Sequence, residues 1–349
     1  VDLRAKVAII LGYTKQNLYL RRMNSKGAPH SFRAWWLAAR PKTLSGALVS
    51  VISATTLAYT CDTPHNTAPL LAILCATFAG LMQVASNFIN DLIDFRRGRD
   101  GDDRLGPERA CAQGWISARA MQWGIAIVLG LAAAVGLILF GVFTTVSQYS
   151  AIQLAVWLGL VGLSCGAGAF LYTTHLSRYA LGDAMVLIFF GLVPVVGTYF
   201  LLTDQFTTPA ILLGISIGMV VDLLLVINNF RDRDNDARVN KRTLVVLMGE
   251  SLSIWFYLLL GVAAIFLLFV LCFVLPTTSS SFWVRFLPAI LSLAFFPLHY
   301  RTWQNLQRIH HGRALNALLG ETSRNMLIFA LTFCVGLMIQ ALLIGDCFQ

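Results

Sequence analysis

Two clusters of acidic and amide side chains are the main candidates for functional residues in this sequence. Four members of the first cluster recur at the spacing of one helix face: Gln83, Asn87, Asn90 and Asp94. Three members of the second recur in the same way: Asn228, Asp232 and Asp236. Two carboxylate-bearing helix ends at one cavity would repel each other unless cations lay between them. Mg²⁺ fits that place, because it takes carboxylate oxygens, keeps several waters and completes its shell with substrate phosphates.

The two clusters share one spacing, since Asn90 precedes Asp94 by the same interval that separates Asn228 from Asp232. A solvated loop of salt-bridged side chains explains one such cluster equally well, but the repetition favours a binding site. Basic residues flank both clusters, and guanidinium groups fork onto phosphate oxygens. The flanking residues that suit a polyanion are Arg99, Arg104, Arg109, Arg231, Lys241 and Arg242. Taken singly, each is explained equally well as a residue that sets membrane orientation.

The elements that must position these clusters are membrane helices. Of the 349 residues, 57% are hydrophobic and 12% are charged, whereas about 25% are charged in a soluble protein. This composition, with a mean hydropathy of +0.70, excludes a soluble enzyme. Nine apolar runs are long enough to cross a bilayer: 44–60, 68–90, 121–143, 150–173, 181–202, 209–229, 252–275, 282–299 and 325–345. The runs do not alternate, so we expect an all-α integral membrane protein with nine transmembrane helices.

Basic residues follow a regular pattern along the connections. The segment before the first run and every even-numbered connection carry them, whereas the odd-numbered connections and the segment after the ninth run carry none. This is the positive-inside pattern. It predicts a cytoplasmic N-terminus, a C-terminus on the outer side and an active site near the cytoplasmic face. Topology thereby explains the net charge of +9, and we predict no nucleic-acid partner.

The sequence divides into an extension and one domain. Residues 1–32 form an N-terminal extension, and we interpret residues 1–22, which precede Met23, as candidate upstream sequence outside the fold. Residues 33–349 form one polytopic domain. Because the matched clusters lie four runs apart, we expect two four-helix units plus a ninth helix.

Two stretches, 90–109 and 228–244, resemble the aspartate-rich motifs of the UbiA superfamily of intramembrane prenyltransferases. The run from Tyr172 to Tyr199 resembles more closely the branch that prenylates 1,4-dihydroxy-2-naphthoate in menaquinone synthesis. Hydroxybenzoate-modifying relatives commonly carry a further aspartate four residues after the position of Asp94. This chain has Gly98 there and an acid two residues later, as the naphthoate branch does. The likeness covers the chain from about residue 33 to the last helix.

The resemblance implies a UbiA-like helical bundle around a central cavity with cytoplasmic cap loops, in a bacterial plasma membrane. The implied activity is Mg²⁺-dependent transfer of a polyprenyl group from polyprenyl diphosphate to 1,4-dihydroxy-2-naphthoate, with decarboxylation to demethylmenaquinone. The alternatives are another aromatic acceptor, such as homogentisate or 4-hydroxybenzoate, and a membrane transporter. Nearly uncharged outer loops disfavour a transport path across the membrane.

The resemblance also assigns roles to residues, position by position. It implies six Mg²⁺ ligands: Asn90, Asp94, Asp100, Asn228, Asp232 and Asp236. It implies that the diphosphate is bound by Asn90, Arg99, Arg104, Arg109, Tyr172, Asn228, Arg231 and Lys241. Asp94 and Asp232 are the expected catalytic carboxylates of the donor half of the reaction. Aromatic side chains near the same end, including Phe88 and Phe230, are candidates for stabilising an allylic carbocation by cation–π contact.

Two further acids are candidates for the acceptor half of the reaction. Asp183 opens the fifth run, where it has a catalytic interpretation and an equally good one as a helix N-terminal cap. Asp222 lies inside an apolar run, about 10 Å along the helix from Asn229. A charge at that depth is costly, so Asp222 is expected to face the cavity or to be protonated. A hydrogen bond between helices is the structural alternative.

Overall fold

The computed structural model describes residues 31–98, 105–174, 179–275 and 281–345, and the side chains of these ranges other than those of 31, 42 and 172–174. The described helices in chain order are α1 (Ser31–Ala39), α2 (Pro41–Cys61), α3 (Ala68–Arg96), α4 (Ala118–Phe143), α5 (Ala151–Thr174), α6 (Gly182–Thr203), α7 (Thr208–Arg238), α8 (Leu244–Val274), α9 (Phe282–Ser292), α10 (Phe295–Ile309) and α11 (Leu315–Ile344).

Within these ranges, nine segments are long and apolar enough to span a membrane, which confirms the predicted number. They are α2 to α8, the pair α9 and α10 taken together, and α11. Large apolar side chains such as Ile73, Trp123 and Leu163 are exposed on the outward surfaces, where a bilayer would cover them. The protein is therefore an all-helical, multi-pass membrane protein.

Local signals in the sequence explain where several helices begin. Proline occupies the first turn of α2, α3 and α7, where its missing N–H removes no helical hydrogen bond. Ser117, Thr207 and Thr243 precede α4, α7 and α8, and each hydroxyl accepts a hydrogen bond from a backbone N–H of the first turn. These caps fix the ends of the helices that surround the site.

Several helices extend well past the apolar runs that predicted them. α3 continues to Arg96 and α7 to Arg238, so both acidic clusters are helical along their length. α11 begins at Leu315, whereas the ninth apolar run begins at residue 325. Arg324, which the sequence places in a connection, therefore lies inside a membrane helix. That correction bears on the site.

α7 is the most enclosed membrane helix of the described bundle, with 67% of its apolar window buried, whereas only 11% is buried in α5. α6 packs closely against α7, because a Cβ added at Gly191 would lie 2.3 Å from the carbonyl oxygen of Gly214. Such close approach of two backbones requires glycine. α6 also contains a π-helical turn at Leu187–Leu192 on this contact. A firmly packed α7 thus holds the second acidic cluster in place.

Candidate active site

A cavity of about 2720 Å³ lies between α2, α3, α4, α5, α6, α7 and α11. Both acidic clusters line it at one end, which we call the polar end. Eight predicted site residues line that end: Asn90, Asp94, Arg109, Asn228, Arg231, Asp232, Asp236 and Lys241. Gln83 and Asn87 also line the cavity, so the face predicted for α3 is confirmed. The predicted central cavity is confirmed as well.

The first acid of the polar end is held by an arginine that follows it in the chain. Nη2 of Arg109 lies 2.8 Å from Oδ2 of Asp94, and Arg109 is 7% exposed. The neighbouring Asp91 explains why Arg109 is there. Its two carboxylate oxygens accept hydrogen bonds from the backbone N–H groups of Ala110 (2.9 Å) and Cys111 (3.0 Å). Asp91 thus fixes the connection after α3, which sequence reasoning did not foresee.

The second acid forms a two-point ion pair with its own neighbour. Nε and Nη2 of Arg231 donate to the two oxygens of Asp232, at 2.8 and 2.6 Å. The third nitrogen of Arg231 donates to the side chain of Asn316 at the start of α11, at 2.9 Å. Asn316 in turn donates to the carbonyl oxygen of Leu105, at 2.8 Å. Asn316 therefore joins the second cluster to the segment that follows the first.

The third acid pairs with a lysine just after α7. Nζ of Lys241 lies 2.8 Å from Oδ2 of Asp236, and the backbone N–H of Lys241 donates to the carbonyl oxygen of Asp236. The turn between them passes through Asn240, whose φ of 54° is left-handed, a conformation that asparagine tolerates better than most residues. Asp94, Asp232 and Asp236 are thus each paired with a cation.

A buried arginine outside the cavity anchors the end of α7. Arg233 donates to the carbonyl oxygen of His310 (2.8 Å) and to the carboxylate of Glu250 (2.9 Å). Its guanidinium also lies 4.3 Å from the ring centroid of Phe230. Phe230 is fully buried in this contact, and Phe88 is buried in a separate apolar cluster. Neither side chain lines the cavity, so neither is in place for the cation–π contact for which it was a candidate.

Several predicted residues cannot be placed. Arg99, Asp100 and Arg104 lie outside the described residues, and so does the side chain of Tyr172. Their assigned roles stay predictions.

The two candidate acids for the acceptor half lie away from the cavity wall. Asp183 is in the first turn of α6, Asp222 is in α7, and both are buried. Asp222 interacts electrostatically with Asp183, and among the described residues one carboxylate oxygen of each has no hydrogen-bond partner. The residues of α7 that do line the cavity near this level are Val221, Leu224 and Leu225. A catalytic role for Asp183 or Asp222 remains a prediction without a cavity contact.

The donor set at the polar end fits Mg²⁺. Asp94, Asp232 and Asp236 offer carboxylate oxygens and Asn90 and Asn228 offer amide oxygens, which are the hard ligands that Mg²⁺ prefers. In the described ranges, no three acidic, histidine or cysteine side chains form a complete metal site by themselves. The site therefore suits a cation that brings phosphate oxygens as further ligands.

The remainder of the cavity is mostly apolar and long. Asp94 and Cys75 of α3 both line it, and they lie about 28 Å apart along the helix axis. α5 contributes Gly162 and Gly166 to the wall, and a Cβ added at either would meet no atom within 4 Å. These glycines therefore border open space. The cavity can thus accept a long apolar chain beside a charged head.

Comparison with known proteins agrees with this geometry. Residues 47–318 match the UbiA prenyltransferase family. The chain is 33% identical over 312 residues to a 1,4-dihydroxy-2-naphthoate octaprenyltransferase of Haemophilus influenzae, covering 88% of this chain and 96% of the relative. An enzyme of the same name from Mycobacterium tuberculosis is 32% identical over 305 residues, covering 86% and 95%.

A solved structure shares the fold. The apo structure of a UbiA homolog from Aeropyrum pernix superposes with a TM-score of 0.60 at 16% identity, covering 85% of this chain and 97% of the other. The match to the family model and the similarity to the two naphthoate enzymes extend over most of the sequence. This chain belongs to the UbiA prenyltransferase family.

Proposed function

We propose that this protein transfers a polyprenyl group from polyprenyl diphosphate to 1,4-dihydroxy-2-naphthoate, with loss of CO₂, to give the demethylmenaquinone skeleton. The observation that carries the proposal is the three ion-paired carboxylates at the end of a long apolar cavity. The acceptor assignment is supported by the names of relatives that are more than 30% identical over most of the chain.

The basic residues of the polar end bind the diphosphate. Arg109, Arg231 and Lys241 are each held by a carboxylate at 2.6–2.8 Å, so they are already oriented before substrate arrives. Charge-assisted hydrogen bonds from guanidinium and ammonium groups to phosphate oxygens are among the strong ones in proteins. As the C–O bond of the allylic diphosphate breaks, these cations stabilise the negative charge that moves onto the leaving group.

Five side chains would hold Mg²⁺: Asn90, Asp94, Asn228, Asp232 and Asp236, with Asp100 as a sixth by resemblance. When bound, the cation neutralises charge on the diphosphate and so makes it a better leaving group. The arginines and the lysine compensate the carboxylates when no cation is present. We propose that an incoming diphosphate takes over these basic groups and thereby frees the carboxylate oxygens.

The apolar part of the cavity receives the prenyl chain. Its walls exclude water from the allylic carbon, which protects a carbocation from hydrolysis. Phe189 and Phe190 of α6 line the cavity and offer ring faces for cation–π contact. The ring carbon that bears the carboxylate then forms the new C–C bond with the allylic carbon. Loss of CO₂ from the carboxylate-bearing carbon returns the bonding electrons to the ring and restores its aromaticity.

We further propose that the polar end faces the cytoplasm of a bacterial plasma membrane. The basic residues of the connections that flank the clusters support this orientation by the positive-inside rule. Polyprenyl diphosphates have a charged head and an apolar tail. A site whose polar end lies at the membrane surface admits the head from water and the tail from the bilayer.

A competition between acceptors tests the function. Membranes that contain the protein are incubated with Mg²⁺ and farnesyl diphosphate, or a longer homologue, and with equimolar naphthoate, 4-hydroxybenzoate and homogentisate. We expect a prenylated naphthalene product with a mass that reflects loss of CO₂. Prenylation of 4-hydroxybenzoate or homogentisate alone would contradict the acceptor assignment while leaving the donor site intact.

A further inference from the structure

Arg324 is a cation inside a membrane helix that faces the cavity. It lies about 14 Å beyond the start of α11 at 1.5 Å per residue, and it lines the same cavity as the acidic clusters. Ionisable side chains within membrane segments are rare because they are costly, and they face a polar cavity or a partner. The positive-inside pattern accounts for basic residues in the connections between membrane helices. It does not account for Arg324, which lies inside a membrane helix.

The guanidinium of Arg324 is oriented but not neutralised. Nη2 donates to Oδ1 of Asn325 at 3.2 Å, and Asn325, which is fully buried, donates to Thr302 at 3.0 Å. Thr302 donates to Glu321 at 3.0 Å. Within the described ranges, no carboxylate is paired with Arg324, in contrast to Arg109, Arg231 and Lys241. The cation therefore has donors available for an anion.

Three residues of α11 form a stripe along the cavity wall: Asn316, Gly320 and Arg324. They recur every four residues and so share one face of the helix. Asn316 marks the level of the diphosphate-binding groups through its bond to Arg231, and Arg324 lies about 12 Å deeper. A Cβ added at Gly320 would meet no atom within 4 Å, so open space lies between the two polar ends of the stripe.

We propose that this stripe is the acceptor subsite: Arg324 binds the carboxylate of the aromatic acceptor, and the ring lies beside Gly320, below the diphosphate. The inference rests on the proposed function and identifies what recognises the acid group of its acceptor. Side chains on a helix tilt toward its N-terminus, which directs Arg324 back toward the polar end and the allylic carbon. The separation from Arg231 keeps Arg324 out of the diphosphate site.

The subsite explains why the residue that orients Arg324 is the neutral Asn325 rather than an acid. An acid in the place of Asn325 would neutralise the guanidinium and compete with the acceptor, whereas an amide orients it and leaves its charge free. A guanidinium on a membrane helix that has no carboxylate partner until the acceptor binds is also a means of selection. Phenols that lack the acid group would leave this charge without a counter-ion, and they would bind less well.

Binding of two unreactive probes tests the subsite in the full-length protein in nanodiscs. The probes are 2-naphthoate and 2-naphthamide, which have similar shapes and differ in charge. For Arg324→Gln we expect 2-naphthoate binding to weaken roughly 10- to 100-fold, and 2-naphthamide binding to change less than about twofold. Arg324→Lys retains the charge and is expected to retain part of the affinity. Arg308→Gln, at an exposed arginine of α10 away from the cavity, is the matched control.

A second variant tests the ring position. Gly320→Leu fills the open space, so we expect it to weaken both probes to a similar degree without lowering the thermal unfolding temperature. The KM for polyprenyl diphosphate is expected to stay within about twofold of the wild-type value in Arg324→Gln. A rise of that KM instead, or unchanged 2-naphthoate binding in a folded Arg324→Gln protein, would overturn the subsite.

The outcomes separate this inference from the proposed function. If the protein fails to prenylate dihydroxynaphthoate but 2-naphthoate binding depends on Arg324, the acid subsite is upheld and the acceptor assignment fails. If it prenylates dihydroxynaphthoate and Arg324→Gln binds both probes as the wild type does, the function is upheld and the subsite is rejected.

Discussion

Asn316 accepts a hydrogen bond of 2.9 Å from Nη1 of Arg231, a residue 85 positions earlier in the chain. The same side chain donates a hydrogen bond of 2.8 Å to the carbonyl oxygen of Leu105, in the segment after the first acidic cluster. One asparagine at the start of α11 therefore sets the position of the second cluster relative to the connection that follows the first.

The bond between Asn316 and Arg231 makes a testable prediction about substrate binding. Asn316→Ala removes both hydrogen bonds, so Arg231 keeps its ion pair with Asp232 but loses the contact that fixes its third nitrogen. We expect the KM for polyprenyl diphosphate to rise roughly tenfold, with a smaller change in the KM for the acceptor. Steady-state kinetics with each substrate varied in turn measures the two effects. Equal changes in both constants would indicate a general loss of structure and would refute a positioning role.

Asp91 supplies a prediction about stability. Asp91→Ala leaves the backbone N–H groups of Ala110 and Cys111 buried without their acceptors, which costs about 1–3 kcal/mol for each unsatisfied group. We expect a lower thermal unfolding temperature and a large loss of activity, because the connection also positions Arg109. Asp234→Asn is the comparison, since Asp234 is an exposed acid of the second cluster and its substitution is expected to keep the unfolding temperature. Equal unfolding temperatures for Asp91→Ala and the wild type would contradict the account.

The glycines of α5 make a prediction about chain length. Gly162→Leu places a branched side chain in open space on the apolar part of the cavity wall. We expect turnover with long polyprenyl diphosphates to fall at least fivefold relative to turnover with farnesyl diphosphate. Gly141→Leu, which meets no atom within 4 Å but lies off the cavity, is the matched control. The prediction fails if the preference for chain length is the same in both variants.

Substitution of Asp222 tests the catalytic role that the sequence suggests for this residue. It lies beside Asp183, away from the cavity wall, so the geometry predicts that Asp222→Asn retains kcat within about threefold. The catalytic interpretation of Asp222 predicts a loss of 100-fold or more, the scale of a missing general acid or base. Measurement of kcat at saturating concentrations of both substrates decides between the two.

Much of the fold was predictable from hydropathy, because a backbone in hydrocarbon must satisfy its own hydrogen bonds and long apolar runs therefore become helices. The helix ends were not predictable in the same way. α3, α7 and α11 continue into polar sequence, where packing against other helices stabilises residues that no apolar run marks. The most consequential difference is Arg324, which a count of connections assigns to the aqueous side.

The site was predictable where a repeat marked it. The matched spacing of the two clusters predicted that Asp94 and Asp232 line one cavity, and the structure confirms this. Asn316 carries no such signal, since an isolated asparagine near a helix start has many roles. The burial of Phe88 and Phe230 depends on tertiary packing, which spacing along one helix does not determine.

The central claim is that the paired carboxylates at the polar end support metal-dependent prenyl transfer to a naphthoate. Its most direct test is product formation by the purified protein with polyprenyl diphosphate and 1,4-dihydroxy-2-naphthoate, with Mg²⁺ or EDTA, for the wild type and Asp94→Asn. We predict prenylated, decarboxylated product only for the wild type with Mg²⁺, and a decrease of at least 100-fold in Asp94→Asn. Undiminished product in EDTA, or in folded Asp94→Asn, would contradict the account.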